Sequence, residues 1–150
     1  MKYIYIKKEY IDSLKKLLKD LGPEFVSLRK SRKNNPIEKY FTDTTLRLIV
    51  AIDGSKVVGY KAYKIMSDSR CKSLGMGVAK KYRRKGIIYK LYRLQIADLK
   101  KRHINEIITR TWSTNNKSIP LFEKLGFKKY RTIKNTRVNG ADSVWYRLKL

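Results

Sequence analysis

The chain has 150 residues, a length that fits one domain able to bury a sizeable core without a disulfide or metal staple. Its 37 Lys and Arg exceed its 12 Asp and Glu by 25, a field that concentrates polyanions and repels polyamines and basic protein tails. With Cys71 as the only cysteine an intrachain disulfide is excluded, and no apolar run reaches the about 18 residues of a membrane span, so the expectation is a soluble, cytoplasmic protein with no membrane partner.

Tyr3 to Lys7 alternates and is rich in aromatic and β-branched residues, which predicts a first strand. Ile11, Leu14, Leu17, Leu18 and Leu21 recur at helical spacing and stop at Gly22-Pro23. Glu24 to Phe41 reads as a short helix, a loop broken at Lys33-Asn34-Asn35-Pro36 and a further helical turn. Leu46–Ile52 and Lys56–Met66 flank Asp53-Gly54-Ser55, which predicts a hairpin.

Cys71–Ala79 is a strand whose Gly75 and Gly77 suggest a bulge or a close approach of ligand to backbone. Lys85–Arg102 carries a broad apolar helical face, Glu106–Trp112 is a strand, and Lys117–Leu125 is a helix closed by Gly126. Lys128–Val138 and Ser143–Lys149 form two strands around Asn139-Gly140, a type I′ turn signal. Strand, helix, strand over residues 71–111 implies a parallel crossover, whereas the hairpins imply antiparallel pairs. The fold class is therefore α/β with a mixed sheet of about seven strands and helices on both faces, in one domain over 1–150.

The junction Met76-Gly77-Val78-Ala79-Lys80-Lys81-Tyr82-Arg83-Arg84-Lys85-Gly86-Ile87-Ile88 carries the most chemistry. An apolar strand breaks there into a basic glycine loop that opens a helix, whose first-turn N–H groups lack intrahelical acceptors and suit a phosphate. Between Lys72 and Arg102 the only acid is Asp98.

Four features together resemble the GCN5-related N-acetyltransferase (GNAT) superfamily: the Asp53-Gly54-Ser55 hairpin, the loop Arg83-Arg84-Lys85-Gly86-Ile87-Ile88, Asn115 followed by Leu121-Phe122-Glu123-Lys124-Leu125-Gly126-Phe127, and the order of elements. The resemblance implies an acyl-CoA, typically acetyl-CoA, bound in an opening between the fourth and fifth strands. It would place the pyrophosphate on the N–H groups of Arg84, Lys85, Gly86, Ile87 and Ile88, with the charges of Arg83 and Lys85 assisting. The main chain at Met76 and Val78, together with Asn115, would take the pantetheine arm, and Phe122 would lie near the thioester sulfur.

Two positions depart from the family pattern. Ile88 stands where the loop normally carries Gly or Ala, with its side chain expected to turn toward the core. Phe122 stands where many members carry the Tyr that protonates the departing thiolate. Substitutes for that acid are water, Ser118, Tyr89 and Tyr92; for the base, Lys72 to Ala79 holds no carboxylate, and Asp68 and Glu106 are the nearest candidates in sequence. No base is evident on the fourth strand. Deprotonating a lysine-like amine near neutrality costs about 4.6 kcal/mol against about 1 for an α-amine, so a site without a strong base favours the α-amine.

The function expected is N-acyl transfer to an amine carried by, or close to, nucleic acid: an aminoacyl-tRNA, a nucleobase or a ribosomal protein N-terminus. Alternatives are a small-molecule or peptide amine as acceptor, and a degenerate scaffold that binds nucleic acid through its cations and through Trp112, Tyr60 and Tyr63. No metal is expected, and the oligomeric state stays open, a dimer included.

Overall fold

The protein is seen here in a computed structural model that describes residues 1–30 and 35–150; Lys33 and Asn34 of the expected loop break lie outside them. Seven strands form one sheet in the order β1-β2-β3-β4-β5-β7-β6: β1 Lys2–Tyr5, β2 Leu46–Asp53, β3 Lys56–Ile65, β4 Arg70–Val78, β5 Glu106–Trp112, β6 Lys128–Ile133 and β7 Ser143–Lys149. Among neighbouring strands only β4 and β5 run parallel, with a helical connection crossing from one to the other, and every other neighbouring pair is antiparallel.

Helix α1, Ile11–Leu21, buries Leu14, Leu17 and Leu21 at helical spacing over Leu48, Val50, Tyr60 and Ala62 on one face of the sheet. Helix α2, Ile87–Lys101, buries Ile87, Leu91, Tyr92 and Leu99 on the other face, where α3, Ser118–Lys124, adds Phe122. Helices therefore cover both faces, as the sequence predicts. The helix ends also follow local chemistry. Gly126 at φ +95° ends α3, its N–H bonding Glu123 O while Phe127 N–H reaches back to Phe122 O, the paired closure of a left-handed cap.

Two expectations fail. The short helix expected after Glu24 is absent among the described residues, where the chain runs from a single turn at Gly22–Glu24 to an isolated bridge between Leu28 and Arg137, while the further helical turn is found at Ile37–Phe41. Asn139-Gly140 does not join β6 to β7 as a two-residue turn. β6 stops at Ile133 because the Arg137 side chain turns inward, donating to Val26 O and Ser143 Oγ and stacking over Trp112, and this draws residues 134–142 into a longer loop.

Gly77 is required by packing. A Cβ there would stand 2.5 Å from Leu21 Cδ1 and 3.0 Å from the Tyr60 ring, so the glycine lets α1 sit close on the sheet. Gly77→Ala should destabilise the fold by about 1–3 kcal/mol, as overpacked cores do. The urea midpoint checks this, and the loss should shrink when Leu21 is also shortened to Ala.

Candidate active site

β4 and β5 are held together by three pairs, Arg70↔Glu106, Cys71↔Ile107 and Lys72↔Ile108, and beyond Lys72 they part. β4 stays paired with β3, and its register slips between Ala62 and Tyr63, leaving Leu74 as the extra residue of a bulge. Main-chain groups on the two sides of the resulting gap face each other without a ladder, an arrangement that an extended ligand completes.

From the open end of that gap β4 leads through a turn at Lys80–Tyr82 into α2. Arg84 at φ +61° and Gly86 at φ +74° both take the left-handed conformation, and no side chain caps the helix. The first-turn N–H groups of Ile87, Ile88 and Tyr89 therefore have no intrahelical acceptor. Ile88, the residue that departs from the loop pattern, packs against the core as expected. The three loop cations do not act alike. Arg83 forks onto Glu24 at 2.9 and 2.5 Å and donates from Nε to Val78 O at 3.0 Å, whereas Arg84 and Lys85 are exposed. Glu24 also receives Lys117 at 3.0 Å, and hydrogen bonds from Arg83 first and Lys117 second hold its carboxyl at about 2.

Asn115 is buried and occupied at both ends: it donates to Thr111 Oγ1 at 2.8 Å and accepts the Ser118 N–H at 3.1 Å, which starts α3. Phe122 is 2% exposed among Tyr92, Phe127 and Tyr146. Of the residues considered as acid or base, Tyr92 alone sits in the interior behind the gap, wholly buried. Its Oη makes no regular hydrogen bond among the described residues although the Ser73 and Thr109 hydroxyls lie beside it, and burial holds the phenol far above its ordinary range. Tyr89 lies under Lys124, Asp68 pairs with Arg70, and Glu106 faces Arg147 at the closed end of the strand pair.

On the α1 face a cavity of about 330 Å³ opens beside the bulge. Leu14, Leu18, Ile37, Leu48 and Ala62 give it apolar walls, Tyr40 and Tyr60 bring phenols, Ser73, Leu74 and Gly75 supply β4 backbone, and Lys72 and Arg110 stand at its edge. No carboxylate lines it among the described residues. Burial raises the Tyr60 phenol to about 12, so it remains a neutral hydrogen-bond donor at physiological pH.

Residues 12–127 match the family model described as the acetyltransferase (GNAT) family. The chain belongs to that family. A curated relative, N-alpha-acetyltransferase 30 from Schizosaccharomyces pombe, is 32% identical over 71 residues, a match that covers 47% of this chain and 47% of that protein. The ribosomal-protein-alanine N-acetyltransferase of Brucella melitensis superposes with a TM-score of 0.83 at 19% identity over 100% of both chains. A Bacillus anthracis acetyltransferase solved in complex with acetyl coenzyme A superposes at 0.71 with 18% identity, covering 81% of this chain and 73% of that one. Likeness at such identity speaks for the fold.

Acetyl-CoA is the donor of this GNAT family, and the residues present fit it. The uncapped N-terminus of α2 offers main-chain donors beside the exposed Arg84 and Lys85, and the gap between β4 and β5 offers unladdered backbone. No helix among the described residues is long and apolar enough to cross a membrane.

One residue that the motifs do not mark stands at the foot of the gap. Lys61 of β3 is 1% exposed; its Nζ donates to Ser73 Oγ at 2.9 Å and Ala62 O at 3.3 Å and lies 4.8 Å from the centre of the Tyr92 ring. A lysine inside the apolar run Val57-Val58-Gly59-Tyr60-Lys61-Ala62-Tyr63 was the sequence signal for it. Desolvation lowers its amine from 10.5 to about 7. Because the unfolded chain then binds one more proton than the folded one between those values, stability should rise with pH from about 7 to 10, by about 1.4 kcal/mol per unit, and be lost as pH falls back toward 7. The buried phenols Tyr60, Tyr63 and Tyr92, all raised, end that rise above pH 10. Urea midpoints taken from pH 7 to 9.5 should climb in the wild type and stay nearly flat in Lys61→Met.

Proposed function

We propose that this chain moves the acetyl group of acetyl-CoA to the α-amine of a protein N-terminus, on a substrate that is part of, or close to, a ribonucleoprotein. In this reading the N–H groups from Arg84 to Ile88 hold the pyrophosphate, Arg84 and Lys85 supply its mobile cations, and the backbone at Met76 pairs with the pantetheine arm. Arg83, bound to Glu24 and Val78 O, acts indirectly by fixing the loop. Asn115 acts in the same way by fixing the start of α3.

The observation that carries the acceptor assignment is the cavity on the α1 face, whose described lining has phenols and apolar walls but no carboxylate. Such a lining can desolvate an amine without helping a strongly basic one to lose its proton, so the α-amine is the substrate it suits. The names of the relatives agree with it: one acts on α-amines, another on a ribosomal protein. Peptides with a free α-amine and dimethylated lysines should be acetylated, whereas peptides with a blocked N-terminus and free lysines should not; the reverse pattern contradicts the assignment.

The ribonucleoprotein half is supported by the surface beyond the cavity. Arg110, Trp145 and Arg131 are direct cross-strand neighbours on β5, β7 and β6, with the two guanidinium groups 5.4 and 5.3 Å from the Trp145 ring. Arg147 lies 5.2 Å from the ring of exposed Tyr130, and Lys128 pairs in register with Arg147. Cations interleaved with aromatic faces suit a single-stranded phosphate backbone and its bases. Tyr60 and Tyr63, the stacking residues expected from sequence, are buried and unavailable for this. Changing Arg131 and Arg147 together to Ala should weaken single-stranded RNA binding and flatten its dependence on salt, by about 0.7 in slope for each phosphate no longer neutralised, without altering transfer to a peptide. Fluorescence polarisation across a salt series measures both.

A further inference from the structure

Lys61 is the only buried lysine among the described residues, and no carboxylate compensates it. The groups that face it are Cys71 and Ser73 on β4, Tyr92 on α2 and, beyond Cys71, Gln95, which donates to Cys71 Sγ at 3.4 Å. Asp98, the carboxylate of α2, is bound to Tyr63 Oη and Arg102 instead. A buried ammonium without a counter-charge weakens a fold, and an apolar side chain of similar length would pack at no such cost. Stability therefore gives no account of the amine.

Its position does. Lys61 lies opposite Met76 in the β3–β4 register, and its side chain reaches Ser73, the first residue of β4 beyond the last pair with β5. Ser73 also borders the acceptor-side cavity, so the residue that bonds the amine is one that lines the acceptor space. Tyr92, against which the amine rests, packs edge-on to Phe122 at 6.4 Å, and Phe122 has no hydroxyl with which to protonate a departing sulfur.

We propose that Lys61, acting through the Ser73 hydroxyl, delivers the proton that the sulfur of the donor takes up as it leaves. In the balanced step the acceptor nitrogen forms a bond to the acyl carbon and the carbon–sulfur bond breaks with its electron pair on sulfur. The Ser73 hydroxyl gives its proton to that sulfur and receives one from the Lys61 ammonium. The proton shed by the acceptor amine goes to solvent, from which Lys61 is recharged. An amine held near 7 is a stronger acid than a thiol of about 8.5, so the transfer runs downhill. The inference rests on acetyl-CoA as donor and not on the identity of the acceptor.

Two readouts test it. In the first, which needs no acceptor, the ¹³C-labelled Lys61 side chain is titrated with saturating coenzyme A and with saturating desulfo-coenzyme A. The expected result is a higher midpoint with the thiol present, because a thiolate beside the amine stabilises its charge; identical midpoints overturn the proposal. In the second, acetyl transfer to a pool of peptides with free α-amines is followed against pH. Lys61→Met and Ser73→Ala should each slow the transfer by about 10²-fold with coenzyme A affinity unchanged, and should abolish the fall in rate above pH 7. Phe122→Tyr placed on Lys61→Met should restore part of the rate. Wild-type rate and pH profile in either variant, or a loss that only follows lost affinity, overturns the proposal. Should Lys61→Met fail to fold, Ser73→Ala and the titration carry the same tests. If no peptide is acetylated by the wild type while the titration responds, the acceptor assignment fails and the role of Lys61 stands.

Discussion

The separation of β4 from β5 after Lys72 and Ile108 is the constraint on which the rest of the molecule depends. A parallel pair would ordinarily continue its ladder, and here the bulge at Leu74 turns β4 away while β3 keeps it paired on its other side. The consequence is a gap with backbone on both sides, a buried face under α2 and a cavity under α1. In the proposed reading the donor and the acceptor meet at Ser73–Gly75, where the gap and the cavity adjoin.

The charge of +25 divides into parts with different tasks. Arg83 is consumed by Glu24, an ion pair that also gathers Lys117 and so ties the turn after α1 to the loop before α2 and to the start of α3. Arg84 holds a left-handed conformation that a side chain adopts at a cost, and with Gly86 it turns the chain so that the first N–H groups of α2 face outward uncapped. The cations of β5, β6 and β7 lie on another part of the surface, around Trp145 and Tyr130. One sum of charges thus covers a structural clamp, exposed cations at the uncapped start of α2 and a broad basic face.

Much of this was legible in the sequence. The apolar period of α1, the Gly54 hairpin and the Gly126 cap are local patterns whose physics is complete within a few residues, and each appears where it was expected. The loop, Asn115 with the segment that ends Leu125-Gly126-Phe127, the Gly54 hairpin and the element order together carried the resemblance to the family. What failed depended on distant partners. Asn139-Gly140 carries a turn signal, yet Arg137 is drawn inward by Val26 and Ser143 and the strands end early. Gly75 and Gly77 suggested a bulge or a close approach of ligand, and the bulge is there at Leu74, while the space over Gly77 is taken by Leu21 and Tyr60 from elsewhere in the chain. Tyr60 and Tyr63 looked available for stacking, but β3 is central and buries both. Lys61 is the clearest case, because a lysine in a strand is ordinarily read as a surface residue and only the sheet order puts it inside.

In the proposed reading main-chain donors at the start of α2 grip the diphosphate of the donor while the arm behind it enters the gap. Amide hydrogen exchange with and without saturating coenzyme A reads this residue by residue. The amides of Gly86 to Tyr89 and of Met76 should slow together on binding while those on β6 remain unchanged. If coenzyme A binds and these amides exchange as before, the donor lies elsewhere and the account is contradicted.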